Sequence, residues 1–579
     1  MNARHRRILM ILSALTLSGL ALVVGLTLSQ SKARAAGPVC TVDDDGIGVD
    51  YTTIDAAVDD WGCMTITVAA GTYAEHVTIN DRTLTVLGAG AGSTVIDAGG
   101  SGRALYLDNS TVTMSGVTLF NGSAPSFANG GGVYNNGASL SLIDSEIISS
   151  TASSGGGIYN SGTLTLTDVT IKNNTTSGRG GGLYNANGYT ATLLATSILS
   201  NTAALEGGGI DNHNGTLTMD GCTVAYNTLS DIYFAGGIRS TGPMTITNST
   251  IAQNTSPSGA AGGIYNGSSS KLVIVDSDII SNTSAARGGG IWTWGDVDLT
   301  RVTVGGNEST GGDAGGIGMD SSATLTVIDS TIISNTASSY GGGISTYSPN
   351  AGTRTAIISN TIISRNNAGQ RGGGIYNVGV VTLTNSAVIS NSAARGGGIE
   401  NIGGGSLSLT NVTVSGNEAQ NEGGGLFHYN GTTDLVNVTI VDNRTISGDG
   451  GGVSYSQDTL NAKNTLIAGN TDDGGQAPDC DGTITSQGYN LIGDTTGCTL
   501  SGSLTGVISN TATTGVYPLT EDRGTLVHPL TEDSMALDAG TDAGCPATDQ
   551  RGVPRVGTCD IGAFEYVRWV YLPLTVRRE

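Results

Sequence analysis

Two acid and histidine pairs have the residue types for proton transfer: Asp211 with His213, and Glu400 with His428. A carboxylate can hold an imidazole as a general base, provided the groups come within hydrogen-bond reach. Asp211 and Glu400 each follow an isoleucine, Ile210 and Ile399, so strand alternation turns both acids outward, and the histidines are expected near the same face. The two pairs lie seven repeats apart, about 34 Å at one strand spacing per repeat. They cannot form one site, and each pair alone reads as a polar pair on the surface, with catalysis the alternative. Asn470-Thr471-Asp472-Asp473 and Asp43-Asp44-Asp45-Gly46 read as solvated acidic turns, the second lacking the twelve-residue loop of a calcium site. A structural calcium there is the only cofactor to consider. Between the leader and His528 the chain has just His76, His213 and His428, too few for a histidine-built metal centre.

The elements that must position these residues are set by a repeat. Gly155-Gly156-Gly157-Ile158-Tyr159-Asn160 returns with its last glycine at Gly132, Gly157, Gly182, Gly209, Gly237, Gly263, Gly290, Gly316, Gly343, Gly374, Gly398, Gly425 and Gly452. The period is about 27 residues, within the range of solenoids. Within one repeat Gly155–Asn160, Thr163–Thr167 and Val169–Lys172 alternate as short strands rich in Thr, Val and Ile. A coil of three strands, stacked at about 4.8 Å, makes three parallel sheets. Ile158, Ile210, Ile264, Ile291, Ile344, Ile375 and Ile399 then form an inward column, and the glycines allow positive φ and close approach at the corner.

Two further columns follow from the same spacing. Asn174, Asn201, Asn227, Asn254, Asn282, Asn307, Asn335, Asn391, Asn417, Asn443 and Asn470 suit left-handed turns and can bond amide to amide between coils. Tyr134, Tyr159, Tyr184, Tyr265, Trp292, Tyr376 and Phe427 follow the inward residue and are expected to line one outer face. Such aromatics either stack on one another to stabilise the sheet or present polar-tipped rings to sugars or a protein partner. The net charge of -23 lacks the basic footprint that nucleic-acid binding needs. The aromatic face makes an extracellular glycan or a surface protein the expected partner.

The ends differ from the repeats. Residues 1–35 read as a signal peptide, with Arg4, Arg6 and Arg7 before an apolar run and Ala33-Arg34-Ala35 as the cleavage site, predicting a secreted or cell-surface protein with no membrane span in the mature chain; uncleaved, the same run is long enough to act as a signal anchor. Residues 36–108 form the N-terminal cap and first coils, with a helix beginning after Thr53 and stopping by Gly62. The repeats occupy 109–475, C-terminal coils and a cap 476–566, and a short hydrophobic and basic tail 567–579. Nearest-neighbour pairing would join Cys40 with Cys63, Cys480 with Cys498 and Cys545 with Cys559, although sequence leaves connectivity open. Cys222 is left over, at a small inward position, as a core thiol.

Three stretches carry resemblances. Tyr51 through Ala69-Ala70-Gly71-Thr72-Tyr73 to Leu87-Gly88-Ala89-Gly90 resembles the opening of the pectin-lyase-like superfamily, which implies a right-handed parallel β-helix. Ile332-Ile333-Ser334-Asn335-Thr336 before Gly341-Gly342-Gly343-Ile344 resembles the paired repeats of polymorphic outer-membrane protein passenger domains, which are adhesins. Asn490-Leu491-Ile492-Gly493, Ala536–Gly540, Cys545–Gly552 and Cys559–Tyr566 are similar to the C-terminal region of choice-of-anchor Q proteins, which implies a capped surface or secreted β-helix. The fold expected is all-β: a three-sheet right-handed β-helix with a short capping helix and a C-terminal cap. The function expected is non-enzymatic adhesion or glycan binding, the alternative being a polysaccharide lyase or glycoside hydrolase.

Overall fold

A computed structural model describes residues 38–347, 352–511 and 515–567. The expected leader, and the tail beyond residue 567, lie outside the described residues. Strands dominate, and successive coils pair in parallel: Ile158 lies beside Leu183, Leu183 beside Ile210, and the column continues through Ile238, Ile264, Ile291, Ile317, Ile344 and Ile375 to Ile399. Every member of this column is wholly buried, so the apolar residues of each coil meet those of its neighbours in one continuous core. No helix among the described residues is long and apolar enough to cross a membrane.

The coil has one more strand stack than the three expected. Besides Ile158–Thr167 and Thr170–Lys172, a two-residue strand, Thr175–Thr176, pairs with its equivalents from Thr151–Ala152 to Thr471–Asp472 in a separate 13-stranded sheet. This short strand precedes the glycine corner and carries the residue just before the triplet alongside the outward column. The corner itself uses its glycines in two ways. Gly155 has φ 63°, whereas a Cβ on Gly156 would stand 2.6 Å from the carbonyl oxygens of Gly181 and Thr175, a separation that backbone cannot yield. Ala235, Ala261 and Ala314 replace the first glycine in three coils and accept φ of 71°, 59° and 59°.

The asparagine column is a core ladder rather than a set of left-handed turns. The left-handed residue is the one before each asparagine, such as Asn173, Ser200 or Ser281. The asparagine is fully buried and closes four bonds. Asn282 Oδ1 accepts from the backbone N–H and Nδ2 of Asn254, both at 3.0 Å, while its Nδ2 donates to Ile251 O at 2.9 Å and Asn307 Oδ1 at 3.0 Å. Asn366, outside the expected set, fills the rung between Asn335 and Asn391. The ladder ends at Asp479, whose Oδ1 accepts from Asn470 Nδ2 at 2.9 Å and whose Oδ2 accepts from Asp494 N at 2.7 Å. An ionised carboxylate only accepts, so it terminates a chain of amides that each donate onward.

Both ends are covered. The helix Ile54–Asp59, capped by Thr53, ends earlier than Gly62 and buries Ile54, Ala57 and Val58 over the first coil. Cys40–Cys63 ties it to the first strand; Cys480–Cys498 and Cys545–Cys559 secure the other end. Residues 515–567 do not simply continue the stack. They fold back along the flank of the coils, where Asn411 Nδ2 donates to Thr548 O at 2.8 Å, Thr413 Oγ1 to Gln550 Oε1 at 2.6 Å, and Asn437 Nδ2 to Gly562 O at 3.2 Å. Cys222 is buried, and burial pushes its thiol pKa up, as befits a core residue.

Candidate functional site

Asp211 and Glu400 share the expected outward register, seven coil steps apart through Arg239, Tyr265, Trp292, Gly318, Ser345 and Tyr376. Neither is at the surface. The column of residues that precede the glycine triplets lies against the outward column, bridging Arg179 to Glu206 and Glu206 to Phe234, and Tyr340 to Arg371. These side chains fold over the outward residues, so both acids are fully buried.

Around Asp211 the charges close on themselves. Arg239 Nη1 donates to Asp211 Oδ1 at 2.8 Å, Arg239 Nε stands 3.3 Å from Glu206 Oε1, and Arg179 Nε 2.8 Å from Glu206 Oε2. Burial raises the pKa of Asp211 and of Glu206, and the arginines oppose the rise. His213 does not bond Asp211. Its Nδ1 lies 3.4 Å from both Arg179 Nη1 and Arg239 Nη1, so it can only accept there. Burial, then the two guanidinium charges, lowers the His213 pKa and keeps the ring neutral. Its face stacks on Tyr184 at 6.0 Å. The Nδ1 lone pair that a base would use is occupied.

Glu400 repeats the arrangement without a histidine. Arg395 Nη2 donates to Glu400 Oε1 at 2.8 Å and Arg371 Nε lies 3.9 Å away. Burial pushes the carboxyl pKa up to about 7 against these two cations. His428 pairs in register with Asn401, not Glu400, and therefore faces the interior. There its Nδ1 meets Thr433 Oγ1 at 2.9 Å and its ring lies flat on Tyr455 at 5.4 Å, with burial lowering its pKa. The expected Glu400 and His428 pair is thus split across the sheet. Leu426 points in and Phe427 out, so alternation sends His428 in.

The aromatic column divides in two. Tyr134, Tyr159 and Tyr184, joined by Tyr106, stack at 5.6, 5.1 and 4.9 Å with ring planes within 12°. Each ring covers its neighbour's face, so the half-buried ladder shows solvent its edges and not the open faces that would lie on a sugar ring. Arg103 adds a cation 4.8 Å from the Tyr134 ring. Tyr265, Trp292, Tyr376 and Phe427 are buried, contrary to the expected outer face. Tyr265 stacks on Phe234 at 4.2 Å, Tyr376 on Tyr340 at 4.8 Å, and Arg395 lies 4.2 Å from the Phe427 ring. Trp292 lies over Gly318, where no side chain could fit.

Arg179, Glu206, Arg239, Arg371 and Arg395 were not among the expected site residues. Their signal was a charged residue immediately before a glycine triplet, or in the outward slot beside one. A family model described as Right handed beta helix region matches residues 198–349 and 232–419. No curated protein matches the chain. With its strands paired in parallel from coil to coil, the chain has the fold of a right-handed parallel β-helix built from repeats.

Proposed function

We propose that this protein is an exported, non-enzymatic β-helix surface protein that adheres through glycan recognition. The observation that carries the reading is the tyrosine ladder over Tyr106, Tyr134, Tyr159 and Tyr184. It aligns half-exposed edges at coil spacing beside Arg103, a row of polar tips suited to a polymer with repeated hydroxyls. The acid and histidine candidates give no comparable support to hydrolysis or elimination. Asp211 and Glu400 are held by arginines, and His428 is internal. Three disulfides agree with an oxidising compartment. The resemblances to pectin-lyase-like openings, to passenger-domain repeats and to choice-of-anchor Q termini favour a secreted or surface setting.

The test replaces Tyr134, Tyr159 and Tyr184 together by Phe, which keeps the stacked rings and removes their hydroxyls. Glycan-array binding by the mature protein should fall sharply while melting is unchanged, and no new reducing ends or unsaturated products should form. Normal binding by the triple variant, or chain cleavage by the unaltered protein, refutes the proposal.

A further inference from the structure

A second polar recess lies away from the tyrosine ladder, where the folded-back C-terminal segment meets the coil flank. Its volume is about 500 Å³, with Asp329, Asn360, Ile362 and Asn385 on the solenoid wall and Arg523 and Arg551 on the opposite wall. The two walls come from parts of the chain more than a hundred residues apart, so this is an inter-unit crevice of the size that small ligands occupy.

The solenoid wall is a side-chain ladder with one missing rung. Asn411 Nδ2 donates to Asn385 Oδ1 at 3.1 Å, and Asn360 Nδ2 donates to Asp329 Oδ1 at 3.0 Å. Among the described residues nothing joins Asn385 to Asn360. The Asn385 amide N–H groups and the Asn360 carbonyl oxygen are therefore both unused, on adjacent coils, at the crevice floor. Past residue 411 the corresponding side chains are consumed by the cap: Asn411 by Thr548, Asn437 by Gly562 and Asn464 by Thr541. The crevice is where that column of amides emerges uncovered.

The opposite wall holds its arginines differently. Arg551 is fixed, with Nε and Nη2 on Asp549 Oδ2 at 2.8 and 2.7 Å, Nη1 on Asp522 Oδ2 at 2.7 Å, and its guanidinium over Phe564. Arg523, at the tip of the Thr520–Asp522 and Thr525–Val527 hairpin, has no ion-pair or hydrogen-bond partner for its side chain among the described residues. The local charges are Arg523 and Arg551 against Asp329, Asp522 and Asp549, which leaves no positive surplus to draw an anion. Free donor, free acceptor, a carboxylate oxygen and an unpaired guanidinium around the small apolar surface of Ile362 match a ligand with vicinal hydroxyls on a carbon ring.

The geometry points to this crevice as a binding site for a neutral saccharide. Its hydroxyls would bridge Asn360 and Asn385, with Asp329 and Arg523 closing on the neighbouring hydroxyls. The inference does not rest on the tyrosine ladder. Isothermal titration with short neutral gluco-, galacto- and manno-oligosaccharides, and with oligogalacturonate as the acidic counterpart, tests it. At least one neutral oligomer should bind; Asp329→Ala and Arg523→Ala, both at exposed positions, should each weaken it about tenfold or more without changing the melting curve. The tyrosine-to-Phe triple variant should leave this binding intact, which separates failure here from failure at the ladder. The assignment is overturned if no neutral oligomer binds at millimolar concentration, if either Asp329→Ala or Arg523→Ala binds as tightly as the unaltered protein, or if oligogalacturonate is preferred.

Discussion

Replacing Asn282 by Ala cuts the core ladder at one rung, and the cost can be worked from its four bonds. Asn254 N–H loses its acceptor, while Ile251 C=O loses one donor and keeps its place in the sheet ladder beside Ile279, in a wholly buried strip. Orphaning a buried polar group costs about 1–3 kcal/mol. Asn254 Nδ2 keeps its bond to Val224 O at 2.9 Å, and Asn307 Oδ1 keeps the Asn282 backbone N–H at 3.0 Å, so each loses one bond of two. One orphan and three partners that each lose a bond come to about 4 kcal/mol. A solenoid opens locally, so a single melting temperature would blur the effect. Amide hydrogen exchange resolved along the chain is the assay. Amides of the coils carrying Asn254, Asn282 and Asn307 should exchange about a thousandfold faster, while those around Asn174 and Asn443 stay protected. Acceleration under about tenfold at these coils, or an equal acceleration through the whole rod, would refute the reasoning.

Two pH dependences follow from buried titrating groups. The Glu400 pKa is raised to about 7 in the folded chain from 4.5, so its contribution to stability is full below pH 4.5 and is lost as pH rises through 7. The loss is of order 3 kcal/mol, and Glu400→Gln should remove it, so that the difference between variant and parent unfolding changes across that window; parallel curves would contradict the assignment. His528 works in the opposite direction. Burial lowers its pKa from 6.5; Nδ1 lies 2.9 Å from Tyr517 O and Nε2 2.8 Å from Ser415 Oγ, with Asp442 the nearest charge at 3.9 Å. Its contribution is present above pH 6.5 and lost as pH falls through the lowered value, so the folded-back segment should become protease-sensitive in acid before the coils do. Simultaneous cleavage of both would count against it.

What recurs was legible in the sequence, and what crosses between columns was not. The inward isoleucines and the glycine corners follow from period and alternation because the same residue type returns to the same register. Asn366 escaped because its coil is longer: it stands 31 residues after Asn335. The inward position of His428 was readable from Leu426, two residues before it, by strict alternation. The burial of Asp211, Trp292 and Glu400 was not. It depends on the fourth strand stack, which brings the pre-glycine residue against the outward slot, a contact between columns of different phase. The crevice beside Arg523 depends on a chain reversal that no repeat encodes.

The amide ladder also governs how such a molecule can change length. Each asparagine gives to the next coil what it takes from the previous one, so every interior rung is interchangeable with every other. Excising or duplicating one whole coil, cut at the same point in two neighbours, rejoins donor to acceptor with nothing left over. A partial insertion strands a donor in the core. Only Asp479 is not interchangeable, since it receives without passing on. Growth of this rod by tandem duplication is therefore quantised in single coils and confined to the chain before that carboxylate, which acts as a full stop.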